Sequence, residues 1–276
     1  MTVSAQWTRY MLLMACAVSV SASGSEFDCL IEPKAVVKVG SPVPGLLKTV
    51  TVERGDWVKA GQVLGTLLSD VEEATENLAA TRASSRAAVL SARAQVEYEE
   101  RRRARNEDLY RQKAISAQDM EKVDTELALR RLELQAAEEE QRIAALELAR
   151  VRALLAIRTI RSPVDGVVME RTLSPGEFVV DEGRIATIAR VDPLNVEVFL
   201  PAALYGSVTV GNEVQVQTEP DLGGPRSARV VVVDRVMDAA SGTFGVRLDL
   251  PNPHAELPAG LRCKVTFPDV MSAAAP

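Results

Sequence analysis

Residues 66–162 contain neither glycine nor proline, although the 276-residue chain holds 16 of one and 14 of the other. A stretch of that length without a breaker, rich in Ala, Leu, Glu, Arg and Gln, is best satisfied as α-helix. Charges of both signs recur through it, as at 97–105 and 138–142, which describes a solvated helical surface and not a globular interior. The second half carries a heptad seam: Met120, Val123, Leu127, Arg130, Leu134, Ala137, Gln141, Ala144, Leu148, Val151 and Leu155, nine of the eleven apolar. The first half has a weaker seam of Val71, Ala74, Leu78, Thr81, Ser85, Ala88 and Ala92, small enough for close helix approach. Near the midpoint, Lys113 suits a helix C-terminus, Ser116 an N-cap and Asp119 the N3 position. This stop followed by a start predicts a helical hairpin over 70–157 with its tip at 110–117. Each arm is about 40 residues, roughly 60 Å long. A single long solvated helix is the alternative.

The flanks of this stretch repeat one another. A constant offset of 121 pairs Pro42 with Pro163, Val43 with Val164, Gly45 with Gly166 and Gly55 with Gly176. It also pairs Trp57 with Phe178, Val58 with Val179 and Leu64 with Ile185. Each half reads as short strands punctuated by glycine turns, too short for a core of its own. The halves, 36–69 and 158–190, are expected to pair into one small β-sandwich, which brings Leu68 near Ile160. That closure requires the helical stretch to go out and come back.

From 191 to 268, alternating runs such as 195–200, 213–218, 229–233, 244–250 and 263–267 are separated by Gly, Pro and Asn clusters. Five or six short antiparallel strands at this spacing predict a small β-barrel, with 269–276 a disordered tail. At the other end, Arg9 precedes the apolar run 10–20, followed by the small-residue pattern Val20-Ser21-Ala22. Eleven apolar residues fall short of the roughly 20 that span a bilayer, so residues 1–22 read as a cleaved secretory signal. An uncleaved anchor, or lipidation at Cys16 in the box Leu13-Met14-Ala15-Cys16, are the alternatives. Residues 23–35 form an N-terminal segment joining the barrel.

Two half-motifs of the form G-[LV]-…-G-[DE]-[WF]-V, carried by Gly45, Gly55, Gly166 and Gly176, resemble a biotinyl/lipoyl-like domain. Interrupted by a long hairpin and preceded by an export signal, they resemble the periplasmic adaptor, or membrane fusion protein, family (HlyD/AcrA-like) of Gram-negative tripartite pumps, over residues 30–268. The resemblance implies an elongated, mixed α and β protein. Its lipoyl-like sandwich is split by an α-helical coiled-coil hairpin and followed by the barrel. Many members build a further membrane-proximal domain from both chain ends, which this chain is expected to lack. True lipoyl and biotinyl carriers present a modifiable lysine at the turn that the hairpin replaces here, which weighs against an acyl-carrier role.

In the same family the hairpin tip docks on a TolC-like outer-membrane channel through an Arg, a Leu four residues on and a Ser seven further. Arg105, Leu109 and Ser116 have this spacing. Arg105 and Leu109 share a helix face, and Ser116 is expected to cap, contact the partner, or both. The resemblance also brings the N-terminal segment beside the barrel, so Cys29 and Cys263, the pair left after signal removal, are candidates for a structural disulfide. The expected function is a non-enzymatic adaptor without cofactor. It self-associates into a ring and links an inner-membrane RND-type transporter to the channel. The stretch 191–198 looks like the RND subgroup, and an ABC-type exporter is the alternative engine.

Other chemistries find little support. A net charge of −6 and a pI near 5.1 argue against nucleic acid as a partner. The single histidine, His254, sits in a solvated turn and leaves no His-rich metal site. Asp234 and Asp238 make too weak a pair for acid–base catalysis, and the Arg101–Arg103 run reads as a solvated helix face.

Overall fold

The structure is a computed structural model and describes residues 25–180 and 183–267. The expected signal segment, Cys16 and the tail 269–276 lie outside the described residues. Strands β1 (Ser25–Gly40), β2 (Gly45–Val50), β3 (Trp57–Val58) and β4 (Val63–Leu67) precede helices α1 (Asp70–Ser84), α2 (Ala87–Arg111) and α3 (Ala117–Ala156). Strands β5 (Thr159–Arg161), β6 (Gly166–Arg171), β7 (Phe178–Val179) and β8 (Arg184–Pro201) follow. Strands β9 (Glu213–Glu219), β10 (Arg226–Asp238), β11 (Thr243–Leu250) and β12 (Arg262–Phe267) complete the order. The chain divides into two compact units, one from residues 35–190 and one from both flanks of that segment.

In the 35–190 unit, sequence duplication becomes structural duplication. Its core includes Val39 with Ile160, Leu47 with Val168, Val58 with Val179, Leu64 with Ile185 and Leu67 with Ile188, each pair 121 residues apart. The hydrogen bonds repeat with the same offset. Gly55 N–H donates to the Val168 carbonyl and Gly176 N–H to that of Leu47. Val168 N–H donates to Asp56, and Leu47 N–H to Glu177. Each half therefore satisfies the backbone of the other, which explains why neither closes a core alone. β2 runs beside β4 and β7, β6 beside β3 and β8, and β5 pairs with β4 through Gly65↔Ile160.

Helices α1 and α2 both pack on α3 in antiparallel sense. Cross-helix ion pairs mark the register: Glu76–Arg152, Arg93–Glu138, Glu100–Arg131 and Arg103–Asp124. Every residue of the expected α3 seam, from Met120 to Leu155, is buried or half-buried.

The outgoing arm departs from expectation in two ways. It is not one 40-residue helix, because Ser85 is extended (φ −68°, ψ 120°) and separates α1 from α2. No glycine or proline marks the break; the Thr81 and Ser84 hydroxyls just before it donate back to the carbonyls of Asn77 and Thr81, bonds that weaken the helical ladder there. The inward face is also a different one: Glu72, Glu76, Ala79, Ala83, Val89, Ala92, Val96 and Glu99. Of the expected seam only Ala92 lies on it, and Val71 and Leu78 are exposed. Two carboxylates take the inward positions of α1 because arginines on the return path meet them, Arg158 at Glu72 and Arg152 at Glu76.

In the second unit the antiparallel order runs β1-β12-β9-β10-β11-β8, and β8 also pairs with β1, so the strand order closes on itself. Ile31, Leu194, Val196, Val198, Leu200, Val216, Val230, Phe244, Leu248 and Val265 fill its core. The buried Asn252 ties the 251–258 turn. Its amide donates to the carbonyls of Val191 and Leu257, and its side-chain oxygen accepts from Leu257 N–H. His254 in that turn is exposed.

Candidate functional site

The hairpin tip is built by two opposed helix caps. At the end of α2, Lys113 adopts the left-handed conformation (φ 58°). Its N–H donates to the Tyr110 carbonyl, and Ala114 N–H reaches back to Leu109. This pair of bonds is a Schellman motif, with a lysine where glycine is usual. At the start of α3 the Ser116 hydroxyl accepts from Asp119 N–H at 3.1 Å and donates to the Asp119 carboxylate at 2.6 Å. Ser116 N–H closes the capping box on that carboxylate. These bonds hold the Asp119 carboxyl below its ordinary range, the Ser116 hydroxyl contributing most, then the Ser116 backbone N–H and the charge of Lys122. Ile115 and Met120 occupy the positions of a hydrophobic staple, both half-buried. The turn is therefore fixed by its own bonds.

On this rigid turn the three expected tip residues separate into two kinds. Arg105 is exposed. Its neighbours are all spoken for: Arg101 by Glu97, Arg102 by Glu99, Arg103 by Asp124 and Glu107, and Arg111 by Asp108. Arg105 has no carboxylate partner among the described residues. Leu109, one turn on, is 41% exposed, and Tyr110 beside it is exposed as well. Ser116, by contrast, has its hydroxyl engaged within the capping box. Sequence reasoning missed Tyr110 and Met120, which line an open groove of about 470 Å³ with Ala117, Glu121, Asp124 and Thr125. The exposed Tyr110, adjacent to Leu109, was the available signal. The tip thus presents two exposed cations without a carboxylate partner among the described residues, Arg105 and Lys113, beside the exposed Leu109 and Tyr110 and the groove.

The other candidate residues fall elsewhere. Cys29 and Cys263 are cross-strand partners on β1 and β12, joined by a disulfide with Cα atoms 4.8 Å apart. Gly55 and Gly176 adopt positive φ (94° and 90°) in matching turns. Gly45 and Gly166 open β2 and β6 at points of close approach. Among the described residues no helix is long and apolar enough to cross a membrane.

Comparison with known proteins agrees with this architecture. The family model described as "CzcB-like, barrel-sandwich hybrid domain" matches residues 35–190, and "CusB-like, beta-barrel domain" matches residues 194–270. The chain is 25% identical to a "UPF0194 membrane protein" of Yersinia pseudotuberculosis over 274 residues, covering 84% of this chain and 82% of that one. It is 25% identical to the "Macrolide export protein MacA" of Yersinia pestis over 232 residues, covering 79% of this chain and 60% of that one. The crystal structure of MacA from Actinobacillus actinomycetemcomitans superposes with a TM-score of 0.71 at 21% identity, over 88% of this chain and 78% of that one. This likeness is one of fold.

Proposed function

We propose, for a chain that belongs to the CzcB-like barrel-sandwich hybrid family of membrane fusion adaptors, that it is a non-catalytic periplasmic adaptor of a tripartite efflux pump. In this reading residues 1–22 direct export, and the 70–157 segment is a coiled-coil hairpin that carries the tip to a TolC-like outer-membrane channel. The two β units form a ring with sister copies on an inner-membrane transporter of the RND type. The match to a CusB-like barrel supports that class. The observation that carries the reading is the tip itself. An arginine without a carboxylate partner and an exposed leucine, one turn apart, stand on a turn held by its own caps. A docking surface is expected to hold such groups in place without spending them internally. The relative named as a macrolide export protein places export among the activities of similar chains.

A photo-cross-linker at Leu109 in the full chain, expressed in its own cells, tests this. The control is the same probe at Arg142, which sits mid-α3. Capture of an outer-membrane channel from Leu109 and not from Arg142 is the expected result, and co-purified transporter subunits then name the engine. An ATP-binding subunit in that fraction would replace the RND assignment with the ABC class. Capture of sister copies alone would make Arg105 and Leu109 a contact between copies of this chain and overturn the channel-docking role of the tip.

A further inference from the structure

Lys113 stands at a position that suits glycine. Among the described residues, nine glycines and two other residues, Lys113 and Ala255, adopt positive φ. At the tip the hydrogen bonds require that conformation. With Lys113 at φ 58°, its N–H reaches the Tyr110 carbonyl at 2.8 Å and Ala114 N–H reaches that of Leu109 at 2.9 Å. These bonds end α2 and turn the chain toward α3. A side chain in this region crowds its own backbone, a penalty that glycine escapes. The turn therefore keeps its shape in spite of the lysine, and the side chain needs a separate reason to be there.

Helix stability does not supply that reason. A cation complements the α2 dipole anywhere in the last turn, and Arg111 already does so from a helical position. The ammonium is not used in an internal ion pair either. The carboxylates nearest it in sequence are engaged: Glu107 with Arg103 and Arg111, Asp108 with Arg111, and Asp119 within the capping box. Lys113 itself is exposed and makes no ion pair among the described residues. It lies on the link between two antiparallel helices, the part of the hairpin that a body approaching end-on meets first. A charge there acts across about 8 Å in physiological salt, before Leu109 and Tyr110 can touch anything.

We infer that Lys113 is the apical contact of the tip, its ammonium pairing with a carboxylate of the polypeptide that docks there. The inference rests on the proposed docking and adds to it a residue and a partner chemistry. An amine kept at positive φ, in place of the glycine that fits, is a group retained for what it meets outside the chain.

A carbodiimide, which joins an amine directly to a carboxylate, tests the pairing on membranes from cells expressing the full chain. Mass spectrometry is expected to find the Lys113 amine linked to an aspartate or glutamate of the protein that the Leu109 photo-cross-linker captures. Lys113→Arg keeps the charge, so it should hold photo-capture at the wild-type level while abolishing the carbodiimide link. Lys113→Gln and Lys113→Gly should lower photo-capture about two- to fivefold, the range of one exposed charge pair. In the purified protein Lys113→Gly should slow hydrogen exchange at the amides of residues 113 and 114, because glycine fits the turn better. Weaker docking from a better-formed turn is a result that a purely structural lysine would not give. A link only to carboxylates of this chain, in the same or a sister copy, would overturn the inference. So would faster exchange in Lys113→Gly, which would make the lysine a stabiliser of the turn. Photo-capture unchanged in Lys113→Gln and Lys113→Gly would remove this contact and leave the adaptor reading. Absence of channel capture in the wild type would remove both.

Discussion

Cys29 and Cys263 face one another across the β1–β12 ladder and close a loop of 234 residues in sequence separation. A chain-entropy argument applied to the whole loop gives the upper end of what a bridge contributes. Residues 35–190 form a compact unit inside that loop, so barrel unfolding with that unit intact involves a shorter effective loop. Cys29→Ser with Cys263→Ser is therefore expected to cost the barrel about 2–4 kcal/mol. In urea, the barrel transition should move to lower denaturant while helical signal from α1–α3 persists. An unchanged barrel transition would mean that β1 is held by its ladder and core contacts alone.

Ser116 and Asp119 make the second testable bond set. Ser116→Ala removes the acceptor for Asp119 N–H and the donor to its carboxylate, at a cost of about 1 kcal/mol for a lost N-cap. The loss should appear as faster hydrogen exchange at residues 117–119. Asp119 has a folded pKa below its unfolded value. Its contribution is thus present above the unfolded value, near 4, and is lost as pH falls through the lower folded value. Acidification should open the tip amides in the wild type, and Asp119→Asn should flatten that pH dependence. A pH response that survives Asp119→Asn would assign it to another carboxylate.

Equivalent glycines of the two half-motifs should respond unequally. A Cβ on Gly166 would lie 2.2 Å from the Ala189 carbonyl oxygen, a backbone atom that cannot move without breaking the β6–β8 ladder. On Gly45 it would meet the ends of the Arg158 and Leu67 side chains at 3.1 and 3.2 Å, which can give. Gly166→Ala is expected to cost the sandwich about 3 kcal/mol, toward the severe end of overpacking, and Gly45→Ala about 1 or less. Thermal unfolding of the two variants decides it. Equal shifts would mean that the sheet accommodates both.

Which parts of this architecture were legible in the sequence follows from what each part depends on. The sandwich could be read because its two halves obey one offset, and residues such as Val58 and Val179 are buried in both. The return arm could be read because its inward positions are apolar at heptad spacing. The outgoing arm could not, because its inward face holds Glu72, Glu76 and Glu99, and its break at Ser85 falls where no glycine or proline stands to signal it. At the tip, spacing alone placed Arg105, Leu109 and Ser116 together. Only the bond pattern separates the unpaired Arg105 from the engaged Ser116, since pairing of Arg101, Arg102, Arg103 and Arg111 depends on side-chain geometry.

Leu127 and Leu132, five residues apart on α3, test which face holds the hairpin together. Leu127 is 4% exposed, on the seam against α2, whereas Leu132 is 61% exposed on the far side. The cross-helix ion pairs near them lie at the surface, where each contributes little and salt screens it. Apolar burial is thus expected to dominate. Leu127→Ala should destabilise the hairpin by about 2–3 kcal/mol, the low end for a buried leucine because a two-layer interface can partly collapse. Leu132→Ala should stay within about 0.5 kcal/mol. Moving from low salt to 1 M NaCl should shift the helical melting transition less than Leu127→Ala does. A larger effect from Leu132→Ala in cells than in the purified protein would place the far side of α3 in a contact with another chain.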